Sequence, residues 1–192
     1  VGKFQVWMPG YNVQAVNYQL YPDLNAQFGR LAKTIASKYP GMTLIDVGAN
    51  VGDTIAVVKA EVDLPVIGVE GDEVTFSYLE KNSKQFNNVS IVKTFLGEKS
   101  EELNVNFEKS GWNATIIPDD KGGKQVQFKT LDAVISEGGF DSRTIKLLKV
   151  DVEGFGTIVL RGAGDIIKRH KPVLFLEYNR QNMISIKEDG LS

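Results

Sequence analysis

Short apolar runs alternate with helical patterns through most of this chain, and that alternation leaves few architectures open. The runs are residues 43–47, 65–70, 89–95, 146–150 and 173–178, and helical patterns occupy 53–60, 73–85 and 155–170. Strands that are apolar throughout, separated by helices, specify a parallel sheet covered on both faces. Right-handed crossovers then predict an open, doubly wound, Rossmann-like α/β sheet. Residues 98–131 break the rhythm. Leu103, Val105 and Phe107 alternate, as do Val126 and Phe128, with Pro118-Asp119-Asp120-Lys121-Gly122-Gly123 between them. This segment reads as an antiparallel insertion between the third and fourth parallel strands, near the edge where ligands bind.

Ahead of the core, residues 1–22 hold aromatics and turn formers without a period and read as an irregular arm. Residues 23–39 read as a leading helix capped by Asp23 and ended by Pro40-Gly41. The core spans 43–178, and the 192 residues with 42% hydrophobic content suit one domain with a single sizeable core. Lys and Arg total 22 against 24 Asp and Glu, a net charge of −2 without a clustered basic face. That balance points away from nucleic acid. The absence of cysteine excludes disulfides, thiolate metal sites and cysteine nucleophiles. No apolar run is long enough to span a membrane and no charged-then-apolar leader opens the chain, so a cytoplasmic protein is expected. The start at Val1 rather than Met suggests a piece of something longer, and nothing in the sequence reads out an oligomeric state.

The first run closes in Asp46-Val47-Gly48-Ala49-Asn50-Val51-Gly52-Asp53-Thr54. In a doubly wound sheet this turn lies at the switch point against a helix N-terminus. Gly48 and Gly52 permit a tight turn and close approach of a ligand. Asn50 stands where a dinucleotide loop keeps its middle glycine, so a nucleoside without a pyrophosphate suits the loop better, and Asn tolerates left-handed backbone. A glycine-rich turn alone is weak evidence. Asp46 strengthens it, because a buried acid needs a partner and a ligand ammonium would serve. Glu70, 24 residues after Asp46, ends the second run before Gly71-Asp72. It is placed to accept the hydroxyls of a ribose, although an acid here also starts a helix well.

The fourth run ends Lys149-Val150-Asp151-Val152-Glu153-Gly154 and the fifth Leu176-Glu177-Tyr178-Asn179. In extended geometry Asp151 and Glu153 point the same way. One carboxylate can orient a substrate hydroxyl while another takes its proton, with Glu177 on the same edge; helix capping is the plainer alternative. Asp151, Glu177 and Asn179 together could chelate Mg²⁺ as an all-oxygen site, but no metal is assigned, because acids on adjacent strand ends also serve hydroxyl binding. His170, the only histidine, belongs to the opposite edge. Trp7 and Trp112 read as packing residues, with Tyr11 and Trp112 as weaker candidates for substrate contact.

Taken together, these motifs resemble the FkbM family of S-adenosylmethionine-dependent methyltransferases over about residues 40–180. The likeness rests on Ile45 to Thr54, Val69-Glu70, Lys149 to Phe155, Val159-Leu160-Arg161-Gly162-Ala163 and Pro172 to Tyr178. The arm resembles that of members found with bacterial surface-polysaccharide genes. The resemblance implies the class I methyltransferase fold and methyl transfer to a hydroxyl of a sugar, glycan or related small molecule. It implies cofactor contacts at Asp46, Gly48, Asn50, Gly52 and Glu70, with Thr54 and Gly71 completing the set. It puts Asp151 and Glu153 at the active edge, where Glu177 joins them. The fourteen residues after Tyr178 are too few for the strand pair that usually ends this fold, so either the chain is cut short or the insertion does part of that covering. Two rivals share the sheet. An NAD-dependent oxidoreductase is disfavoured by Asn50 and by the lack of a Tyr-x-x-x-Lys set. A non-catalytic cofactor-binding module is distinguished only by assay.

Overall fold

The computed structural model describes residues 1–10, 12–110, 113–118, 122–178 and 180–185. Tyr11, Trp112, Asp119, Asp120, Lys121 and Asn179, named above, lie outside the described residues. In chain order the elements are α1 (Gln14–Leu20), α2 (Ala26–Lys38), β1 (Thr43–Val47), α3 (Asp53–Glu61), β2 (Val66–Glu70), α4 (Glu73–Ser83), β3 (Val89–Lys93), β4 (Phe95–Leu96), β5 (Glu101–Ser110), β6 (Asn113–Pro118), β7 (Lys124–Lys129), α5 (Leu131–Glu137), β8 (Ile145–Val150), α6 (Gly156–Arg161), α7 (Gly164–His170), β9 (Val173–Leu176) and α8 (Arg180–Ser185).

Five strands form an all-parallel sheet in the order β3-β2-β1-β8-β9. The strand sequences dictate how its faces are filled. Leu44, Val66 and Leu147 pack against Phe28, Ala32 and Ile35 of α2, Ile55 and Val58 of α3 and Leu79 of α4. Their neighbours Ile45, Val47, Ile67, Val69, Leu148 and Val150 pack on the other face against α5, α6 and α7. Each aliphatic side chain fully buried this way stabilises the fold by about 1.5–3 kcal/mol. Both faces are covered, which is why these strands are apolar throughout. The chain winds outward from β1 to β2 and β3 on one side and from β8 to β9 on the other, so the strand order reverses between β1 and β8, and ligands of such sheets bind beyond the carboxyl ends at that point.

The insertion forms a second sheet, β4-β7-β5-β6. β5 pairs antiparallel with β7, Leu103 opposite Val126, and with β6. β4 joins β7 in parallel. Val105, Val126 and Phe128 pack with Phe155, which fastens this sheet beside the carboxyl edge of the first.

Several expectations change. The arm is not wholly irregular, since it contains α1. Asp23 does not cap the leading helix: Asn25, at φ +63°, precedes its first residue. The stretch 155–170 is two helices: between α6 and α7 the Gly162 carbonyl accepts from the Asp132 N–H at 3.1 Å, and the Asp132 carboxylate accepts from the Asp165 and Ile166 N–H groups, each at 3.0 Å, so that α7 starts anew on a side chain of α5. α5 follows the insertion without having been foreseen, capped by Thr130, whose hydroxyl accepts from the Ala133 N–H. Trp7 is exposed, with the Lys81 ammonium 3.6 Å from its ring centroid. Among the described residues no strand pairs with the outer edge of β9, and no helix is long and apolar enough to cross a membrane.

Candidate active site

The register of β1 and β8 sets Asp46 beside Lys149 and Val47 beside Val150. One step further the Asp151 N–H donates to the Val47 carbonyl at 3.1 Å, which sets the residue after β8 against Gly48. A Cβ on Gly48 would lie 1.8 Å from the Asp151 carbonyl oxygen, and φ there is +71°. Glycine is therefore required by both space and backbone. The turn continues with Asn50 at φ +50° and Gly52 at φ +86°, the latter leading into α3. Glu70 secures the turn from the end of β2. Its Oε2 accepts from the Asn50 N–H at 3.0 Å and its Oε1 from the Asp72 N–H at 2.8 Å. Burial raises the Glu70 pKa, and those N–H groups oppose the rise.

Asp46 faces the α2–α4 side, fully buried. The partner that a buried acid requires comes from the neighbouring strand rather than from a ligand: Lys149 Nζ donates to Asp46 Oδ1 at 3.0 Å. The same ammonium is 3.3 Å from Asp151 Oδ2 and donates to the Gly48 carbonyl at 3.5 Å. Asp46 Oδ2 is buried with no protein partner. Burial pushes the Asp46 carboxyl up to about 6 against the pull of Lys149. For Lys149, burial alone would lower the pKa, but Asp46, Asp151 and Asp53 together raise it, so the ammonium stays charged.

β8 and β9 bring two more acids side by side. Val150 pairs with Leu176, and the Glu177 N–H donates to the Val150 carbonyl at 2.9 Å. Asp151 and Glu177 follow these residues in the two strands, and both reach the cavity between the strand ends. Burial, then Asp151 and Glu153, push the Glu177 carboxyl up to about 7. Glu153 lies at φ +47°, so the segment after Asp151 is a turn and not the extended strand assumed in the i, i+2 argument. Asp151 and Glu153 nonetheless face the same cavity.

That cavity, about 570 Å³, fills the crevice beyond β1 and β8 and falls within the size range of small-molecule and cofactor sites. Gly48, Asn50, Thr54, Glu70 and Gly71 line one side, and Asp151, Glu153 and Glu177 another. Asp46 and Gly52 stand behind the wall, as a charged support and a helix entry. Among the described residues six acidic side chains and one lysine, Lys149, line it. No three side chains among them are grouped to hold a metal ion. His170 accepts from the Ile145 N–H at the start of β8, on the opposite edge.

Four contributions escape the sequence reading. Lys149 carried a signal: a lysine inside an apolar strand needs an acid in register. Phe95 and Phe107 bring the second sheet to the cavity with ring centroids 5.8 Å apart. Gly71 is what admits Phe95, since a Cβ there would meet its ring at 2.3 Å. The arm and the residue before α2 close another wall with Gln14 and Asn25, and Tyr18 Oη donates to the buried Asp53 Oδ2 at 2.8 Å. Asn82 pins the arm further on, donating to the Val51 and Trp7 carbonyls, each at 2.7 Å, and accepting from the Trp7 N–H.

No curated protein matches the chain. The family model described as the methyltransferase FkbM domain matches residues 46–187. The matched segment opens on Asp46 and runs past Glu177, taking in the glycine turn, Glu70, the insertion and the acidic strand ends. The chain therefore belongs to the FkbM methyltransferase domain family.

Proposed function

We propose that this methyltransferase uses S-adenosylmethionine and methylates a hydroxyl oxygen of a sugar, glycan or related small molecule. One observation carries the reading: a single cavity joins a glycine turn and a strand-end acid suited to a nucleoside with a cluster of carboxylates suited to a hydroxyl. The residues fit the cofactor. Gly48 lets the glycine turn and the turn after β8 close against one another at the cavity, Glu70 presents a carboxylate at the end of β2, and Asn50, Thr54 and Gly71 border the same space. Bound there, S-adenosylmethionine supplies a methyl group already activated on a sulfonium.

The protein's part is then alignment and proton handling. Asp151, Glu153 and Glu177 are the groups that hold the acceptor hydroxyl and receive its proton. Asp46 acts through Lys149, which braces Asp151, and Gly52 through the start of α3. The acidic lining favours a cationic cofactor over its neutral product, which eases exchange after turnover.

The test is to incubate the protein with methyl-labelled S-adenosylmethionine and a panel of nucleotide sugars and lipid-linked glycans, then locate the label by mass spectrometry. Label in a sugar methyl ether is expected. Label on nitrogen, or none in any hydroxyl compound, overturns the assignment of the acceptor class.

A further inference from the structure

The segment ahead of the sheet supplies the acidic end of the cavity with groups of a different kind. α2 runs against the direction of β8. Tyr39, just past its end, has its ring centroid 5.1 Å from Lys146 Nζ at the start of β8, whereas the Phe28 ring, near its start, is centred 4.7 Å from that of Phe175 on β9. Asn25, the residue before α2, is thereby set near the strand ends that carry Asp151 and Glu177, and not at the end of β2, two strands away from β8. α1 joins it through Tyr18. Asn25 Nδ2 donates to Tyr18 Oη at 3.3 Å, and Tyr18 Oη donates to Asp53 Oδ2 at 2.8 Å. Gln14 lies one turn before Tyr18 on the same side of α1, and Gln14 and Asn25 both line the cavity. No residue of α1 is buried, and Val16 and Leu20 are exposed, so polar contacts set its position.

These amides complement the acids. Ionised carboxylates only accept hydrogen bonds, and the Lys149 ammonium is taken up by Asp46, Asp151 and the Gly48 carbonyl. The ring and ether oxygens of a polyhydroxylated molecule need donors. Gln14 Oε1 accepts from Asn17 Nδ2 at 2.9 Å, which leaves its Nε2 N–H groups without a partner among the described residues. Asn25 keeps a second Nδ2 N–H beyond the one given to Tyr18. Six acids against one lysine also make the cavity hostile to an anionic group. We propose that Gln14 and Asn25 are acceptor-binding residues, that Tyr18 is the positioning residue that sets them, and that the acceptor presents an uncharged polyhydroxylated unit to them. This rests on the function proposed above, with the acceptor at the Asp151–Glu177 end.

Methyl transfer from labelled S-adenosylmethionine to methyl glucoside, methyl galactoside and methyl rhamnoside tests it, with glucuronate and glucose 6-phosphate as charged counterparts. The neutral sugars are expected to show the lower KM. Gln14→Ala and Asn25→Gly should each raise that KM by about three- to tenfold, the loss of one neutral hydrogen bond, with kcat and calorimetric S-adenosylmethionine affinity little changed. Glycine keeps the left-handed backbone of Asn25, at φ +63°. Tyr18→Phe should raise the KM in the same way, and Val16→Ser, on the exposed side of α1, should leave it unchanged. A merely structural role would instead lower kcat, cofactor affinity and the thermal midpoint together. An unchanged KM in both amide variants overturns the proposal, as does a lower KM for the charged sugars. So does an equal loss of cofactor affinity, which would put the amides at the cofactor. Label in none of these sugars also overturns it; label in another hydroxyl compound then leaves the proposed function standing, and label in none removes both.

Discussion

Gly48 and Asp151 touch so closely that a single methyl group on Gly48 would lie 1.8 Å from the Asp151 carbonyl oxygen. The contact joins the glycine turn after β1 to the acidic turn after β8, which are the two halves of the proposed site. Because the obstacle is backbone, the strands must part to accommodate a side chain. Gly48→Ala is expected to destabilise the fold by roughly 1–3 kcal/mol, the range for overpacking a well-packed interior, read as a lower urea midpoint. Gly52→Ala meets only the Leu79 side-chain end, at 3.0 Å, although its φ of +86° adds strain. It should cost less, and an equal loss at both positions contradicts the account.

Lys149 stands between buried Asp46 and Asp151, and removing it leaves the buried Asp46 carboxyl without its cationic partner. Breaking a buried ion pair from one side costs about 3–5 kcal/mol. Lys149→Met is expected to lose that much in chemical denaturation, and adding Asp46→Leu should restore part of it. Full additivity of the two changes would show that the pair is not coupled.

The acids of the site set a pH dependence of fixed sign. Asp46 rises from 3.8 to about 6 and Glu177 from 4.5 to about 7 on folding, both led by burial, and Asp53 and Glu70 shift the same way. The folded protein thus holds more protons than the unfolded chain across that window. The stability these groups contribute is fully present below about 4 and is lost as pH rises through about 7. The thermal midpoint of the ligand-free protein is expected to fall between pH 5 and pH 8, and Glu177→Gln should flatten the upper part of that fall. A midpoint that rises over the range contradicts the burial assigned to these carboxyls.

The parts of the site that were legible in the sequence are those written locally. The run ending at Gly48, the left-handed Asn50 and the acid closing β2 each follow from a few consecutive residues, and the apolar strands announce a sheet covered on both faces. Lys149 and Asp46 lie 103 residues apart, and only the strand register makes them partners. The break at Gly162 meets Asp132 of α5, which is distant in sequence, and the hydrophobic spacing of 155–170 suits one helix as well as two. The direction of Glu153 was not legible, because extended geometry ends with β8 and its φ of +47° belongs to a turn. The arm has no clear period, as its hold on the core comes from polar contacts of Tyr18 and Asn82 rather than from an apolar stripe.

The central claim is that a nucleoside cofactor occupies the crevice between the ends of β1, β2 and β8, and calorimetric titration with S-adenosylmethionine tests it most directly. The wild-type protein is expected to bind one equivalent. Glu70→Ala, which removes the carboxylate bonded to the Asn50 and Asp72 N–H groups, should weaken binding by roughly tenfold or more, equivalent to at least about 1.4 kcal/mol. Unchanged affinity in a folded Glu70→Ala variant would contradict the account.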